Sequence, residues 1–141
     1  MNFHYCFQGP KIKQLIIFEL TSWIFRTFFI YKSKIVKQDI VLLDIGAGGN
    51  YQKGWTHVDF FLLPSIRFWK KYALRDIPEV QMDLRYPIKC QDNIIDGIYS
   101  GHTLEHLYPS EAIQLLFEMK RILKAGCWLR INLPDIDLYV N

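Results

Sequence analysis

A glycine-rich loop directly after an acidic residue is the first feature whose residue types indicate chemistry. Residues 44–49 read Asp-Ile-Gly-Ala-Gly-Gly. Because Gly46, Gly48 and Gly49 carry no Cβ, the backbone can turn sharply there and let a ligand approach its amides. Amide donors in such a turn suit a carboxylate or a phosphate. The pattern therefore predicts a ligand-binding loop, and a turn with a purely structural role is the alternative.

Three further polar residues end short apolar segments, as Asp44 does. They are Asp59 after 56–58, Asp83 after 79–82 and Ser100 at the end of 94–100. A carboxylate at the end of a second strand can accept both hydroxyls of a ribose, which is the role that we expect for Asp59. Asp83 and the neighbouring Leu84 would offer an acceptor and an apolar wall to an adenine ring. A strand-end cap at Asp59 and a turn before Pro87 are the alternatives.

A parallel sheet would bring these polar residues together at one edge. The predicted strands are short apolar or alternating runs bounded by turn residues, at 40–43, 56–58, 79–82, 94–100 and 128–133. Strands that alternate with crossovers favour an α/β fold, with a Rossmann-like open and mainly parallel sheet of about five strands and flanking helices. Ligands bind such sheets beyond the carboxyl ends of the strands.

The clearest helical pattern covers 110–124, with Ser110 as the expected N-cap. Gly126 is expected to adopt the left-handed conformation that ends a helix. A further helix is expected near 66–74. The connection 46–55 is short for a parallel crossover, which predicts a single helical turn there rather than a full helix.

Residues 12–31 form a strongly apolar run, which predicts a helix in an N-terminal extension, 1–39, preceding the sheet domain, 40–141. Charges inside the run argue against a membrane-spanning helix, and the lack of a small-residue cleavage site argues against a signal peptide. The polar residues on one narrow face of this helix are Glu19, Ser22 and Arg26. A helix that is apolar nearly all round packs on its own domain, on a second copy or on a membrane surface, and these alternatives stay open.

Composition and charge narrow the class of protein. A chain of 141 residues that is 50% hydrophobic favours one packed core over disorder. The net charge of +3 comes from dispersed basic residues and does not favour a nucleic-acid partner. Lys32, Lys34 and Lys37 follow the apolar run and could meet anionic lipid headgroups. The three cysteines form no Cys-x-x-Cys pair, which predicts a cytoplasmic protein, with membrane contact at most peripheral.

A second motif, His102-Thr103-Leu104-Glu105-His106, matches the H-x-x-E-H pattern of a class of zinc proteases. That chemistry needs both histidines on one face of a stable helix, together with a third ligand. The segment leaves a predicted strand through Gly101 and meets Pro109 three residues after His106, so it has room for about one turn. We therefore expect no metal site.

Five blocks of the sequence, in order, resemble the class I S-adenosylmethionine-dependent methyltransferases. Residues 44–49 are similar to the first motif of that superfamily. The other blocks are Gly-Trp-Thr-His-Val-Asp at 54–59, Met-Asp-Leu at 82–84, Tyr-Ser-Gly-His-Thr-Leu-Glu-His-Leu at 99–107 and Glu-Met-Lys-Arg-Ile-Leu-Lys-Ala-Gly at 118–126. They resemble a small, mostly predicted branch, similar to methyltransferase type 11, and the matches cover 41–135.

The resemblance implies S-adenosylmethionine as cofactor and a role for each matched residue. Asp44 and the loop Gly46, Ala47, Gly48 and Gly49 would hold the methionine part of the cofactor. The ribose and adenine would be bound by Asp59, Phe60, Asp83 and Leu84. Ser100 and His102 would lie near the methionine end and the substrate opening, and His102 is the candidate general base, although a structural histidine is the alternative.

The sequence departs from the superfamily pattern at its end. Members of the superfamily normally add two strands after the fifth, whereas this chain ends at Asn141, eight residues after Leu133. The fifth strand would then be an edge strand. From the five matched blocks we expect a methyltransferase for a small-molecule or sugar-type acceptor. Because of the two missing strands, a truncated, non-catalytic module that binds a cofactor or a protein is the alternative. A nicotinamide-dependent oxidoreductase is disfavoured because the loop lacks G-x-G-x-x-G spacing.

Overall fold

The computed structural model describes residues 12–28, 39–48, 51–60 and 78–135. The elements in chain order are α1 (Ile12–Phe28), β1 (Leu42–Ile45), β2 (Thr56–Asp59), β3 (Val80–Gln81), β4 (Ile95–Gly101), a 3₁₀ turn (Leu104–His106), α2 (Pro109–Ile122) and β5 (Leu123–Asn132). The helix expected near 66–74, Gly49 of the loop and the end of the N-terminal apolar run lie outside the described residues.

The five strands form one parallel sheet in the order β3-β2-β1-β4-β5. This confirms the predicted Rossmann-like α/β architecture. β1 is central, since Leu43 pairs with Thr56 on β2 and with Ile98 on β4. The strand order runs outwards from β1 in both directions, which places the switch point between β1 and β4. Within the described residues β5 pairs only with β4, as expected for an edge strand.

The hydrophobic core surrounds the two central strands. Leu43, Ile45, Ile95 and Ile98 have no solvent exposure. One face of α2 covers them with Leu115, Met119 and Ile122. Because β1 and β4 are anchored in this core, the loops that follow these strands begin from well-defined positions.

Two of the first three strands, β1 and β3, end at other residues than the sequence predicted. β1 extends to Ile45, so Asp44 lies inside the strand rather than after it. β2 ends at Asp59 as predicted. β3 has only two residues, so Asp83 lies two positions beyond its end. The described residues of the connection 46–55 form turns without a helix.

The helix α2 begins and ends earlier than the sequence pattern predicted. Tyr108 is the N-cap and Pro109 the first helical residue, so the expectation of a cap at Ser110 is wrong. The physical reason is that the Glu111 carboxylate accepts a hydrogen bond from the Tyr108 amide at 3.0 Å, which fixes the helix start one turn ahead of Glu111.

The chain passes from α2 directly into β5, and Gly126 does not end the helix. Gly126 has a φ of 81°, as expected, but it lies four residues beyond Ile122. The register explains this: Ile95 pairs with Leu123, whereas Gly97 already pairs with Trp128. The residues between these pairs on β5 form a bulge, and the glycine supplies its turn.

The first helix contacts the rest of the chain through its polar face. The Ser22 hydroxyl donates to the carboxylate of Asp83, and Arg85 donates to Glu19 with an Nη1–Oε1 distance of 2.5 Å. The narrow polar face predicted from the sequence is therefore the docking face, because a buried carboxylate such as that of Asp83 needs donors. In the described ranges, no helix has the length and apolar character needed to cross a membrane.

We expect Arg85→Met to loosen α1 from the sheet. The change leaves the buried carboxylate of Asp83 with fewer donors and removes the contact to Glu19, which should lower the free energy of unfolding by about 2–3 kcal/mol. Hydrogen exchange at the amides of α1 should accelerate. Arg121→Met is the matched control, because Arg121 also joins two carboxylates, of Asp92 and Glu118, and its other hydrogen bonds go to the carbonyls of Cys90 and Ile88 rather than to α1. Unchanged exchange in α1 after Arg85→Met would contradict this docking.

Candidate functional site

A cavity of about 470 Å³ lies at the carboxyl ends of β1 and β2. Its walls come from the glycine loop, from the end of β2, from 83–85, from 102–111 and from α1. Pockets for small ligands and cofactors commonly have volumes of about 300–1,000 Å³ and mixed apolar and polar walls. The sequence-predicted residues that line this cavity are Gly46, Gly48, Asp59, Phe60, Asp83, Leu84 and His102.

The carboxylate of Asp59 joins the end of β2 to the glycine loop. Its Oδ2 accepts a hydrogen bond from the Gly48 amide at 2.8 Å, and its Oδ1 accepts one from the Phe60 amide at 2.6 Å. The Gly46 amide donates to the Val58 carbonyl at 2.8 Å. A carboxylate has about four lone-pair positions, so these two bonds leave Asp59 able to accept hydroxyl donors from a ligand.

Thr103 packs directly on the loop and was not predicted as a site residue. Its Oγ1 lies 3.2 Å from the Ile45 carbonyl oxygen. A Cβ built on Gly46 would lie 2.0 Å from the same Oγ1, and Gly46 has a φ of 77°. The segment after β4 therefore fits the loop only because position 46 is glycine. The sequence block 99–107 contains Thr103, but nothing in its local pattern indicates this contact.

Asp44, Ala47 and Ser100 lie behind the cavity wall rather than in it. Burial raises the pKa of the Asp44 carboxyl above its ordinary value, and the negative charge of Asp59 raises it further, against the opposing effect of His57. The Ser100 hydroxyl is the one buried side-chain polar atom without a hydrogen-bond partner in the part of the chain that the structure describes. Buried polar side-chain atoms usually have a hydrogen-bond partner, so an unpaired hydroxyl near the end of β4 is unusual.

Asp83 is fully engaged with protein donors. The Arg85 guanidinium donates to both carboxylate oxygens, Nε to Oδ1 at 3.0 Å and Nη2 to Oδ2 at 2.7 Å, and Ser22 donates to Oδ2. Burial tends to raise the pKa of Asp83, but these hydrogen bonds outweigh it and hold the pKa below its ordinary value. Asp83 thus organises this wall, and its neighbour Leu84 offers an apolar surface to the cavity.

Aromatic rings from two parts of the chain meet at the same wall. The rings of Phe18 on α1 and Phe60 after β2 pack edge to face, with centroids 5.7 Å apart. The Arg85 guanidinium lies 4.7 Å from the centroid of Phe18. Sequence reasoning did not identify Phe18 or Arg85 as site residues, because nothing local indicates that α1 lies against the cavity.

The histidine segment forms the opposite side of the cavity. His102 has a φ of 54°, precedes the 3₁₀ turn and lies 3.3 Å through Nδ1 from Glu105 Oε1. Because of this left-handed residue, His102 and His106 do not share one helical face, which removes the geometric basis of the H-x-x-E-H pattern. Across 12–28, 39–48, 51–60 and 78–135, no group of three or more His, Cys, Asp or Glu side chains is arranged to hold a metal ion.

A buried histidine, His57, contacts the connection that follows the glycine loop. His57 Nε2 accepts a hydrogen bond from the Gln52 amide at 2.9 Å, and its Nδ1 lies 2.9 Å from Glu79 Oε2. The imidazole must therefore carry its proton on Nδ1. Burial tends to raise the pKa of Glu79, but hydrogen bonds from His57 hold it below its ordinary value. This pair holds Gln52, just before β2, a role that its sequence position did not reveal.

Comparison with known proteins gives structural matches only. No family model and no curated protein matches the chain. A SAM-dependent methyltransferase from Archaeoglobus fulgidus matches 99% of this chain over 65% of its own, at 19% identity and a TM-score of 0.52. The PH0226 protein from Pyrococcus horikoshii OT3 matches 92% of this chain over 62% of its own, at 20% identity and a TM-score of 0.50. The chain thus has the fold of these proteins and spans less than two thirds of their length.

Gly46→Ala should destabilise the protein more than Gly54→Ala. Both glycines have a positive φ, 77° and 87°, but a Cβ at Gly54 meets nothing within 4 Å, whereas one at Gly46 collides with Thr103. The free energy of unfolding of each variant should fall by about 1 kcal/mol, because alanine is strained in the left-handed conformation. That of Gly46→Ala should fall by about 1–3 kcal/mol more, because its Cβ collides with Thr103. Urea unfolding measures both free energies, and equal losses would show that the loop does not need the close approach.

Asp44→Asn should stabilise the ligand-free protein near neutral pH. Since the folded pKa of Asp44 is raised, its ionised form destabilises the folded state, and this effect disappears as the pH falls through that pKa towards about 4. The advantage of the variant should therefore shrink on acidification.

Asp96→Asn is the control for this prediction, and it should have the opposite sign. The Lys124 ammonium and the Val41 amide hold the pKa of Asp96 below its ordinary value. This variant should therefore be the less stable one near neutral pH, and its deficit should disappear in acid. Urea unfolding across the pH range measures the free energy of unfolding of both variants. A less stable Asp44→Asn protein at neutral pH would contradict the raised pKa of Asp44.

Proposed function

We propose that this chain binds S-adenosylmethionine and transfers its methyl group to a small-molecule or sugar-type acceptor. One observation carries the proposal: the carboxylate of Asp59 and the amides of the glycine loop meet in a cavity at the carboxyl ends of β1 and β2. That is where sheets of this kind bind nucleotide-containing ligands. The fold shared with the Archaeoglobus fulgidus methyltransferase supports it.

The residues of the cavity fit the three parts of this cofactor. The glycine loop, with Asp44 behind it, would hold the amino and carboxylate groups of the methionine part. Asp59 would accept the ribose hydroxyls with the lone pairs that Gly48 and Phe60 leave free. Phe60 and Leu84 would enclose the adenine. Asp83 would act here through Arg85 and Ser22 as well as by its position beside Leu84.

The reaction needs little chemistry from the protein. The cofactor supplies an activated methyl group, so the chain's task is to orient the acceptor and to keep water away. His102 lines the cavity and is 64% exposed, so its imidazole can receive a proton from an acceptor that enters from solvent. Glu105 Oε1 lies 3.3 Å from its Nδ1 and can orient the ring towards the cavity.

A non-catalytic binding module is the second candidate. A module of this kind would keep the cavity and bind the cofactor without turning it over.

Calorimetric titration with S-adenosylhomocysteine tests the binding step. We expect micromolar affinity for the full chain, and a loss on the order of 100-fold in Asp59→Asn, because two hydrogen bonds to a charged acceptor are weakened. Asp92→Asn is the matched control, since Asp92 is an exposed carboxylate in the turn before β4 and pairs with Arg121. Tight binding of NAD in place of S-adenosylhomocysteine would contradict the proposal.

A methyl-transfer screen separates the two candidates. Release of S-adenosylhomocysteine in the presence of sugar-type or other small acceptors, reduced in His102→Gln, would support the enzyme. Cofactor binding without release across the screen would identify the chain as a binding module.

A further inference from the structure

An apolar stripe runs along the outward face of α1. Ile12, Ile16, Leu20 and Trp23 recur at spacings of four, four and three residues, which places them on one side of the helix. Each is between 51% and 76% exposed. A soluble helix normally turns such a stripe towards the core, so its exposure indicates a partner.

The docking contacts of α1 hold this stripe outwards. Ser22 is fully buried against Asp83, and Glu19 pairs with Arg85. Rotation of the helix to bury the stripe would break both contacts and leave the Asp83 carboxylate without its hydroxyl donor. The helix therefore turns Ser22, Glu19 and Phe18 towards the domain and leaves the stripe facing outwards.

The charge of the chain is divided unevenly around this helix. Residues 1–38 contain six Lys and Arg and one acidic residue, which gives this segment a formal charge of +5, whereas the whole chain carries +3. The remaining residues contain eleven basic and thirteen acidic side chains, a formal charge of −2. Within α1, Lys13 is exposed beside the stripe, and Lys11, Lys32, Lys34 and Lys37 flank the helix in sequence.

We propose that the outward face of α1 binds the surface of an anionic lipid bilayer. Isoleucine, leucine and tryptophan side chains enter the region between headgroups and acyl chains, and the flanking lysines attract anionic headgroups. A second copy of the chain fits less well, because it would bring two N-terminal segments of formal charge +5 into one complex, whereas an anionic bilayer offers the opposite charge.

The proposed surface lies next to the cavity. Leu15 and Phe18, which belong to the same helix, line it. A protein bound through the stripe would thus keep its cavity beside the headgroup layer. The membrane proposal stands on the stripe and the charge, and it holds whether or not the cavity carries out methyl transfer.

Co-sedimentation of the full chain with vesicles tests this proposal. We expect strong binding to phosphatidylcholine vesicles that contain about 30% phosphatidylserine and weak binding to phosphatidylcholine alone. The double variant Ile16→Glu, Leu20→Glu should bind at least about tenfold more weakly, because charged side chains do not enter the acyl region. Ile113→Glu is the matched control, since Ile113 is 53% exposed on α2, away from the stripe, and should bind as the unmodified chain does.

A second variant separates charge from folding. Lys13→Gln keeps the apolar stripe and should weaken binding to the anionic vesicles about fivefold, with no effect on neutral vesicles. An unmodified chain that does not pellet with anionic vesicles, or a control variant that loses binding equally, would overturn the proposal. So would a dimer in light scattering that dissociates in the double variant while vesicle binding is absent, since the stripe would then be a contact between copies.

Discussion

The hydrogen bond from the Gly48 amide to the Asp59 carboxylate is the contact on which the shape of the site depends. It joins the loop after β1 to the end of β2, and both strands begin from a core without solvent exposure at Leu43 and Val58. Because parallel strands present their carboxyl ends at one edge, this contact fixes the loop against the end of β2 where both line the cavity. Thr103 adds a second constraint by packing where a Cβ of residue 46 would lie.

The first helix is built into the same site rather than appended to it. Asp83 receives donors from Arg85 and from Ser22, which lies 61 residues away in sequence. The network couples the cavity wall to α1, and the aromatic contact between Phe18 and Phe60 extends it. The same contacts orient the apolar stripe of α1 outwards, so one set of polar interactions shapes both the proposed cofactor pocket and the proposed membrane surface.

The sequence was informative where physical constraints are local. Buried strands, the glycines of the loop and the carboxylate at Asp59 follow from residue type and spacing, and the sheet and cavity agree with them. Contacts between distant residues could not be predicted in this way, as Thr103 on Gly46 and Ser22 on Asp83 show. The N-cap of α2 was expected two residues too late, at Ser110 instead of Tyr108, because the Glu111 side chain fixes the first turn.

A crystal structure of the full chain with S-adenosylhomocysteine would show directly whether the cavity binds this cofactor. We expect the ribose hydroxyls within hydrogen-bond distance of the Asp59 carboxylate, the ligand's carboxylate at the glycine loop and the adenine between Phe60 and Leu84. A ligand bound elsewhere, or one whose ribose contacts neither oxygen of Asp59, would contradict this expectation.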